Sequence, residues 1–335
     1  MTRYQNMKKI KRYVLLFLTV QILTGCAKSN EPIQKTGLYF NTVIQVTLYD
    51  KAQESLLDDC FQMAEEYEKM LSATMEGSDV WNINHTGHEG ILVSEETGYL
   101  LKQAINYAKQ TNGAVDPTIG AVSALWDFSS ESKARMVPSD DLIKQACTYI
   151  GYDKIILTKQ SDGYLVMTES ENVRVDLGFI AKGYIADKMK EYLVANNVEH
   201  GIINLGGNVL TIGTKPTGEL FSIGIKKPFS EHGETMTDIS VNDKSVVSSG
   251  IYERYFENGG KLYHHILNTT TGYPIENDLY HVTIISDSSM QGDALSTACL
   301  VLGKEKGMEL IEQMSDCEAI FVTNTYEIYK TSGLN

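Results

Sequence analysis

Residues 175–187 read VDLGFIAKGYIAD, and no other stretch restricts the fold as much. Val173, Val175 and Leu177 alternate with Arg174 and Asp176, so the chain enters as a strand with one apolar side. Gly178 interrupts it, and Ala181, Lys182 and Gly183 open a helix. A carboxylate and an ammonium thus flank a strand-to-helix turn whose first N–H groups lack intrahelical partners. Such a turn carries positive partial charge and suits a phosphate. The same residues also describe a buried turn with an aspartate capping its helix. Gly-rich strand–helix turns are common, so both readings stay open.

A second helix is expected over Met290–Gly303. Asp293, Ser296 and Thr297 sit there three and four residues apart, on one face. One carboxylate and two hydroxyls are hard oxygen donors, the kind Mg²⁺ takes alongside water and phosphate oxygens. Alternatively, Asp293 caps a helix while Ser296 and Thr297 bond back to carbonyls. Spacing alone does not separate the two. In Tyr263-His264-His265-Ile266 a strand would turn the histidines to opposite faces, so only one can enter a given pocket. A histidine there is either a proton shuttle or a structural group beside the Thr271-Gly272-Tyr273-Pro274 turn. Asp116 precedes Pro117 and should mark an extended turn. His85 and His88 have zinc-like spacing, but no Cys or Glu completes a site and none is expected.

Further segments join these in order. Asn-Gly-Ala-Val-Asp-Pro-Thr spans 112–118, and Ile-Asn-Leu-Gly-Gly-Asn spans 203–208. Ser248-Ser249-Gly250 leads through Tyr252-Glu253-Arg254 to His264-His265-Ile266, and Gly292-Asp293-Ala294-Leu295-Ser296-Thr297-Ala298 runs on to Val301-Leu302-Gly303. Together they resemble the ApbE-type flavin transferases (FAD:protein FMN transferases), over roughly residues 36 to 320. The resemblance implies an α+β fold, with mixed sheets and packed helices in two interleaved lobes around an FAD cleft. It implies Mg²⁺ held by Asp293, Thr297 and the backbone carbonyl of Ala181. Ala114 and Asp116 would contact the flavin nucleotide, as would Asp176, Lys182 and Ile266. The activity implied is transfer of FMN from FAD to a Ser or Thr hydroxyl of an extracytoplasmic partner, through a phosphodiester, with AMP released. Asp293 or His265 would take the hydroxyl proton. The rivals are an FAD pyrophosphatase giving free FMN and AMP, and a non-catalytic flavin-binding lipoprotein. Three places depart from the family pattern. Phe40-Asn41-Thr42 stands for Met-Gly-Thr, Asn268-Thr269 for Asp-Pro, and Gly178-Phe179 for Gly-Gly.

The N-terminus has its own signature. Arg3, Lys8, Lys9, Lys11 and Arg12 precede a short apolar run, Val14–Leu23, and then Leu23-Thr24-Gly25-Cys26. This matches a bacterial lipobox, so residues 1–25 are expected to be a signal peptide and Cys26 an acylated residue. Residues 26–36 would be acylated cysteine and tether, with the flavin transferase domain over 37–335. The protein would then be lipid-anchored on the extracytoplasmic side of the cell membrane. Loss of residues 1–25 removes five positive charges and no negative ones, taking the formal charge from −14 to −19. So acidic a chain repels nucleic acid and anionic head groups, leaving the anchor to acyl chains. Cys60, Cys147, Cys299 and Cys317 show no metal or redox spacing and read as free thiols.

Between the motifs, strands are expected at 38–49, 153–158, 163–168, 172–177, 201–205, 208–213, 220–226, 245–249, 261–267 and 280–286. Helices are expected at 54–75, 96–111, 140–150, 181–196, 290–303 and 304–314. Residues 227–243 read as a polar surface loop.

Overall fold

The first regular element departs from the expected long strand. In the computed structural model, which describes residues 31–50, 54–128, 136–230 and 233–334, β1 (Ile33–Tyr39) and β2 (Thr42–Leu48) form a hairpin. Tyr39 pairs with Thr42, leaving Phe40 and Asn41 as a two-residue loop, both left-handed at φ 52° and 54°. That geometry matches the strand twist, but without its usual glycine it reads in sequence as unbroken strand. The Phe40 N–H is held by Glu68 Oε1 at 2.6 Å. Strand β1 therefore begins within the expected tether, and the compact unit starts at Ile33. Cys26 and residues 1–25 lie outside the described residues.

Helices α1 (Glu54–Leu71) and α2 (Asp79–Thr86) follow, then β3 (Ile91–Val93) and α3 (Glu95–Gln110). Ser78 and Ser94 cap α2 and α3 by accepting backbone N–H groups. Next come α4 (Gly120–Trp126), α5 (Asp140–Cys147), β4 (Ile155–Gln160), β5 (Gly163–Thr168) and α6 (Ala181–Ala195). Strands β6 (Gly201–Leu205), β7 (Asn208–Ile212), β8 (Phe221–Lys226) and β9 (Thr235–Val241) lead to β10 (Ser245–Gly250). Beyond them lie β11 (Tyr255–Asn258), β12 (Lys261–His264), β13 (Leu279–Ser286) and α7 (Ser289–Leu302). The chain ends with α8 (Lys304–Glu312), β14 (Cys317–Thr323) and β15 (Ile328–Lys330).

An eight-stranded sheet ordered β1-β2-β6-β7-β10-β13-β14-β15 forms the frame, and this is an α+β architecture. Its pairings are all antiparallel, where mixed sheets were expected. Hairpins and short returns join many of the neighbours, and a parallel pair would need a longer crossover. Helix α6 packs on β6 and β7, and α7 on β10 and β13. Ile44, Val46, Ile203, Leu205 and Leu210 are fully buried beneath them, each contributing about 1.5–3 kcal/mol of burial.

Two further expectations need correction. Residues 172–177 keep their alternation, with Val173, Val175 and Leu177 buried, but form no strand beyond a bridge of Arg174 to Ile119. The Asn84 side chain serves as the missing neighbour, accepting from the Val175 N–H at 2.6 Å and donating to its carbonyl at 2.9 Å. Residues 235–241, expected as loop, form β9 against β8. Strand β8 carries the ribbon's buried Phe221 and Ile225, while of β9 only Val241 is buried, so the polar β9 sequence resembles a loop. Cys60, Cys147, Cys299 and Cys317 are free thiols. No helix among the described residues is long and apolar enough to cross a membrane.

Candidate active site

Helices α6 and α7 meet at their N-terminal turns, and each caps the other. Asp293, on α7, accepts the Gly183 N–H of α6 at 2.9 Å. Asp187, on α6, accepts the Ser289 and Met290 N–H groups of α7 at 2.7 and 3.0 Å, and the Ser288 hydroxyl at 2.7 Å. The approach depends on glycine. A Cβ on Gly183 would lie 2.2 Å from the Ser289 carbonyl oxygen, and one on Gly292 would lie 2.9 Å from Val247. Two positive helix ends thus face the same region, with Asp293 buried between them.

Asp293 is only partly engaged. Beyond the Gly183 N–H, its other oxygen meets Lys182 Nζ at 3.3 Å, a long contact to a side chain that is 25% exposed. The capping reading of this helix proves partly right. Asp293 does cap a helix, though a different one from its own, and Ser296 does bond back to the Asp293 carbonyl at 3.0 Å. Thr297, half-buried, instead meets Ser249 on β10 at 3.1 Å. Ala181 shares the first turn of α6 with Gly183, whose N–H reaches the Asp293 carboxylate. Carboxylate, hydroxyl and carbonyl oxygens form a hard donor set that fits Mg²⁺. No three His, Cys, Asp or Glu residues converge as a metal cluster among the described residues. A cation held here by one carboxylate would lean on a substrate's phosphate oxygens.

The 112–118 turn borders this centre. The Asp176 N–H donates to the Pro117 carbonyl at 2.8 Å, and the Thr269 hydroxyl donates to the Gly113 carbonyl at 2.6 Å. Three of the motif segments are so tied together. Asp116 itself is buried and committed inward. One oxygen accepts the Thr118 N–H and hydroxyl at 2.8 and 2.6 Å, the other the Tyr152 N–H at 2.9 Å. Burial raises its carboxyl from the ordinary range, and these hydrogen bonds oppose the rise. These bonds shape the turn that carries Ala114, which is buried. Asp176 accepts the Gly178 N–H at 2.8 Å and the Ser123 hydroxyl at 3.1 Å, holding the strand-to-helix turn open.

His264 and His265 do face opposite ways. His264 is buried and donates from Nε2 to the Ile275 carbonyl at 3.1 Å, next to the Ile266–Ile275 backbone bond. His265 is half-buried, and its Nδ1 donates to the Arg254 carbonyl at 3.2 Å, leaving the Nε2 lone pair free. Burial, then the Arg254 charge, lowers His265 to about 3, so the ring is neutral near neutral pH. Burial raises Glu253 to about 7, opposed chiefly by Lys182 and Arg254 and reinforced by Asp293. Glu253 is exposed and His265 half-buried, so solvent screening trims both shifts, that of Glu253 the more. The Lys182 charge acts on His265 as well as on Glu253. The structure therefore brings Lys182 to Asp293, places Thr297 one turn along the same helix, sets His265 within the Lys182 field, and engages both Asp116 oxygens with its own chain.

Four residues at this centre were not singled out for a role in the sequence: Gly183, Asp187, Ser249 and Glu253. All four lie inside quoted motifs, and only their surroundings reveal what they do.

An FAD:protein FMN transferase of Klebsiella pneumoniae (strain 342) is 35% identical over 304 residues, covering 90% of this chain and 93% of that protein. Another of that name, from Treponema pallidum (strain Nichols), is 31% identical, covering 90% of this chain and 87% of its own. The crystal structure of the ApbE protein from Thermotoga maritima superposes with a TM-score of 0.83 at 29% identity, covering 91% of this chain and 98% of that one. The flavin transferase ApbE from Vibrio cholerae gives 0.79 at 27% identity, covering 90% and 97%. The ApbE family profile matches residues 40–321, and the chain belongs to that family.

Proposed function

We propose that this protein transfers FMN from FAD to a Ser or Thr hydroxyl of a protein acceptor and releases AMP. The observation that carries the reading is the meeting of two helix N-termini around a half-engaged carboxylate, Asp293, with Lys182 beside it. Positive helix ends and an ammonium bind a pyrophosphate. The two ends of the turn set by Asp176 and Asp116 would then seat the nucleotide.

In the reaction the acceptor oxygen forms a bond to the phosphorus nearer riboflavin. The bond from that phosphorus to the bridging oxygen breaks, and AMP departs with the bridging oxygen. Such a transfer needs alignment and charge neutralisation more than covalent help. Asp293, Thr297 and the Ala181 carbonyl would hold Mg²⁺, which when bound supplies neutralisation of charge growing on the pyrophosphate. Lys182 can swing from Asp293 to a phosphate oxygen, given its exposure. His265 Nε2 is the free lone pair available for the acceptor's proton, since Asp293 is already shared between an N–H and a cation. An FAD pyrophosphate nearby would raise the basicity of that ring.

We further read residues 1–25 as a leader and Cys26 as the acylated end of the mature chain. The acceptor would then be an extracytoplasmic protein and the enzyme membrane-anchored.

Incubation with FAD, Mg²⁺ and candidate acceptor proteins tests the reading by mass spectrometry and nucleotide analysis. An acceptor gaining the mass of FMN less one water, as a phosphodiester requires, with equal AMP, is the expected result. AMP together with free FMN and no adduct would show hydrolysis instead, and FAD binding with no AMP would show storage.

A further inference from the structure

We infer that Ser249 is a positioning residue that takes the Thr297 proton and so turns that hydroxyl's lone pairs toward the cation site. The inference rests on the reading that Thr297 offers its oxygen to Mg²⁺. A threonine hydroxyl can do this only if its hydrogen points elsewhere, and the directions in this cluster can be worked out by counting hydrogens.

Three hydroxyls share three hydrogen bonds. Ser296 Oγ lies 3.0 Å from the Asp293 carbonyl, which can only accept, so the Ser296 hydrogen is spent there. Ser249 Oγ lies 2.8 Å from Ser296 Oγ, and since Ser296 has no second hydrogen, Ser249 must be the donor. The Ser249 hydrogen is thereby used as well. Its 3.1 Å contact with Thr297 Oγ1 is then a bond donated by Thr297. Reversing the last bond would leave two oxygens 2.8 Å apart with no hydrogen between them. The chain of donation runs Thr297 to Ser249 to Ser296 to the Asp293 carbonyl. It starts and ends on the two side-chain-bearing residues proposed to hold the metal.

The site is rigid enough to fix this order. Ser249 and Ser296 are buried, and among the described residues Ser249 bonds to no side chain besides Ser296 and Thr297. Its neighbour Ser248 faces the opposite side of β10 and pairs with Thr283 at 2.7 Å, so it cannot substitute. Groups behind a metal ligand typically change affinity by about tenfold or more when removed.

The test uses the full chain in detergent with Mn²⁺ as the probe, its free fraction read by electron paramagnetic resonance with FAD present. Ser249→Ala should weaken Mn²⁺ about tenfold. It should raise the Mg²⁺ requirement for AMP release while kcat at saturating Mg²⁺ stays near the parent value. Ser249→Thr, which keeps an acceptor oxygen, should recover most of the affinity. In a Thr297→Ala background, Ser249→Ala should add nothing, because no hydroxyl remains to be turned. Should Ser249→Ala melt early, Ser249→Cys keeps the volume and replaces the oxygen with a poor acceptor. If Thr297→Ala weakens Mn²⁺ and the folded Ser249 variants do not, the inference is wrong and the metal reading stands. If Thr297→Ala itself leaves Mn²⁺ unchanged, the metal reading falls and takes the inference with it.

Discussion

The two helix starts that meet at Gly183 are made from the same parts, yet they leave different residues free. At the α7 end, Asp187 accepts two N–H groups and a hydroxyl, so both of its oxygens are occupied by its own chain. At the α6 end, Asp293 accepts one N–H and lies 3.3 Å from a mobile ammonium. A carboxylate has about four acceptor positions. The first has three of these filled and the second two, although both sit within the first two turns of their helices, Asp187 six residues past Ala181 and Asp293 four past Ser289. Framework and function are therefore separated by how many donors the neighbouring turn supplies, and not by residue type or position.

The largest expected effect comes from removing charge while keeping shape. Asp293→Asn retains an oxygen for the Gly183 N–H but loses the anion. Transfer should fall on the order of a hundredfold or more, as for loss of one electrostatic stabiliser, with the melting temperature nearly unchanged. The same exchange at Asp187 should do the reverse. An amide there turns an NH₂ toward backbone donors, costing about 1–2 kcal/mol of stability, with transfer per folded molecule kept within a few fold. Urea unfolding and transfer rates on both variants read the contrast. Equal losses of rate in the two would erase the distinction between the ends.

Between those two in size lies a change that should injure both ends together. Gly183→Ala places a methyl 2.2 Å from a backbone oxygen, so the helices must part. Overpacking of this kind costs about 1–3 kcal/mol. Because the Gly183 N–H is also the Asp293 partner, transfer and stability should fall in step. A variant that loses stability and keeps full transfer would mean the crossing does not set the Asp293 position.

How much of this could be read from residues alone depends on the distance over which each feature is decided. Local features were legible. The α3 and α6 helices fall within a residue of their expected bounds, since Ser94 and Gly113 flank the first and Gly178 and Asn196-Asn197 the second. The alternation at Val173, Val175 and Leu177 was legible for the same reason, but not its partner, since Asn84 lies 91 residues away. Strand β14 escaped because its buried run, Ala319 to Val322, is apolar on both faces and shows no period. At the site, Asp293 and Thr297 stand out by spacing, whereas capping and ligation cannot be told apart until the Gly183 turn is seen across the gap. Asp116 is the opposite case. Its family resemblance points to a nucleotide, while its two oxygens turn out to hold Thr118 and Tyr152.

The smallest expected effect tests whether acid sensitivity belongs to the capping carboxylates at all. Burial raises Asp187, so near its folded value the native state holds a proton that the unfolded chain has released. Falling pH through that window favours the fold, and the cap cannot be the source of acid unfolding there. Buried histidines act with the other sign. His281 is fully buried with neither ring nitrogen hydrogen-bonded, and desolvation lowers it to about 4, as it does His264. Below the ordinary histidine value near 6.5 the unfolded chain binds protons that these rings refuse, so stability is lost until pH reaches about 4. The loss should be roughly 1 kcal/mol per histidine between pH 7 and about pH 5.5. His281→Phe removes one of these protons without leaving a polar orphan. Its stability at neutral pH is set by repacking beside Tyr252, 6.0 Å away, so the slope against pH is the informative quantity. Urea unfolding from pH 7 to 5.5 should show a shallower decline for His281→Phe than for the parent, with Asp187→Asn no shallower. If Asp187→Asn flattens the decline and His281→Phe does not, the cap is the acid-labile element and the contrast between the two helix ends must be redrawn.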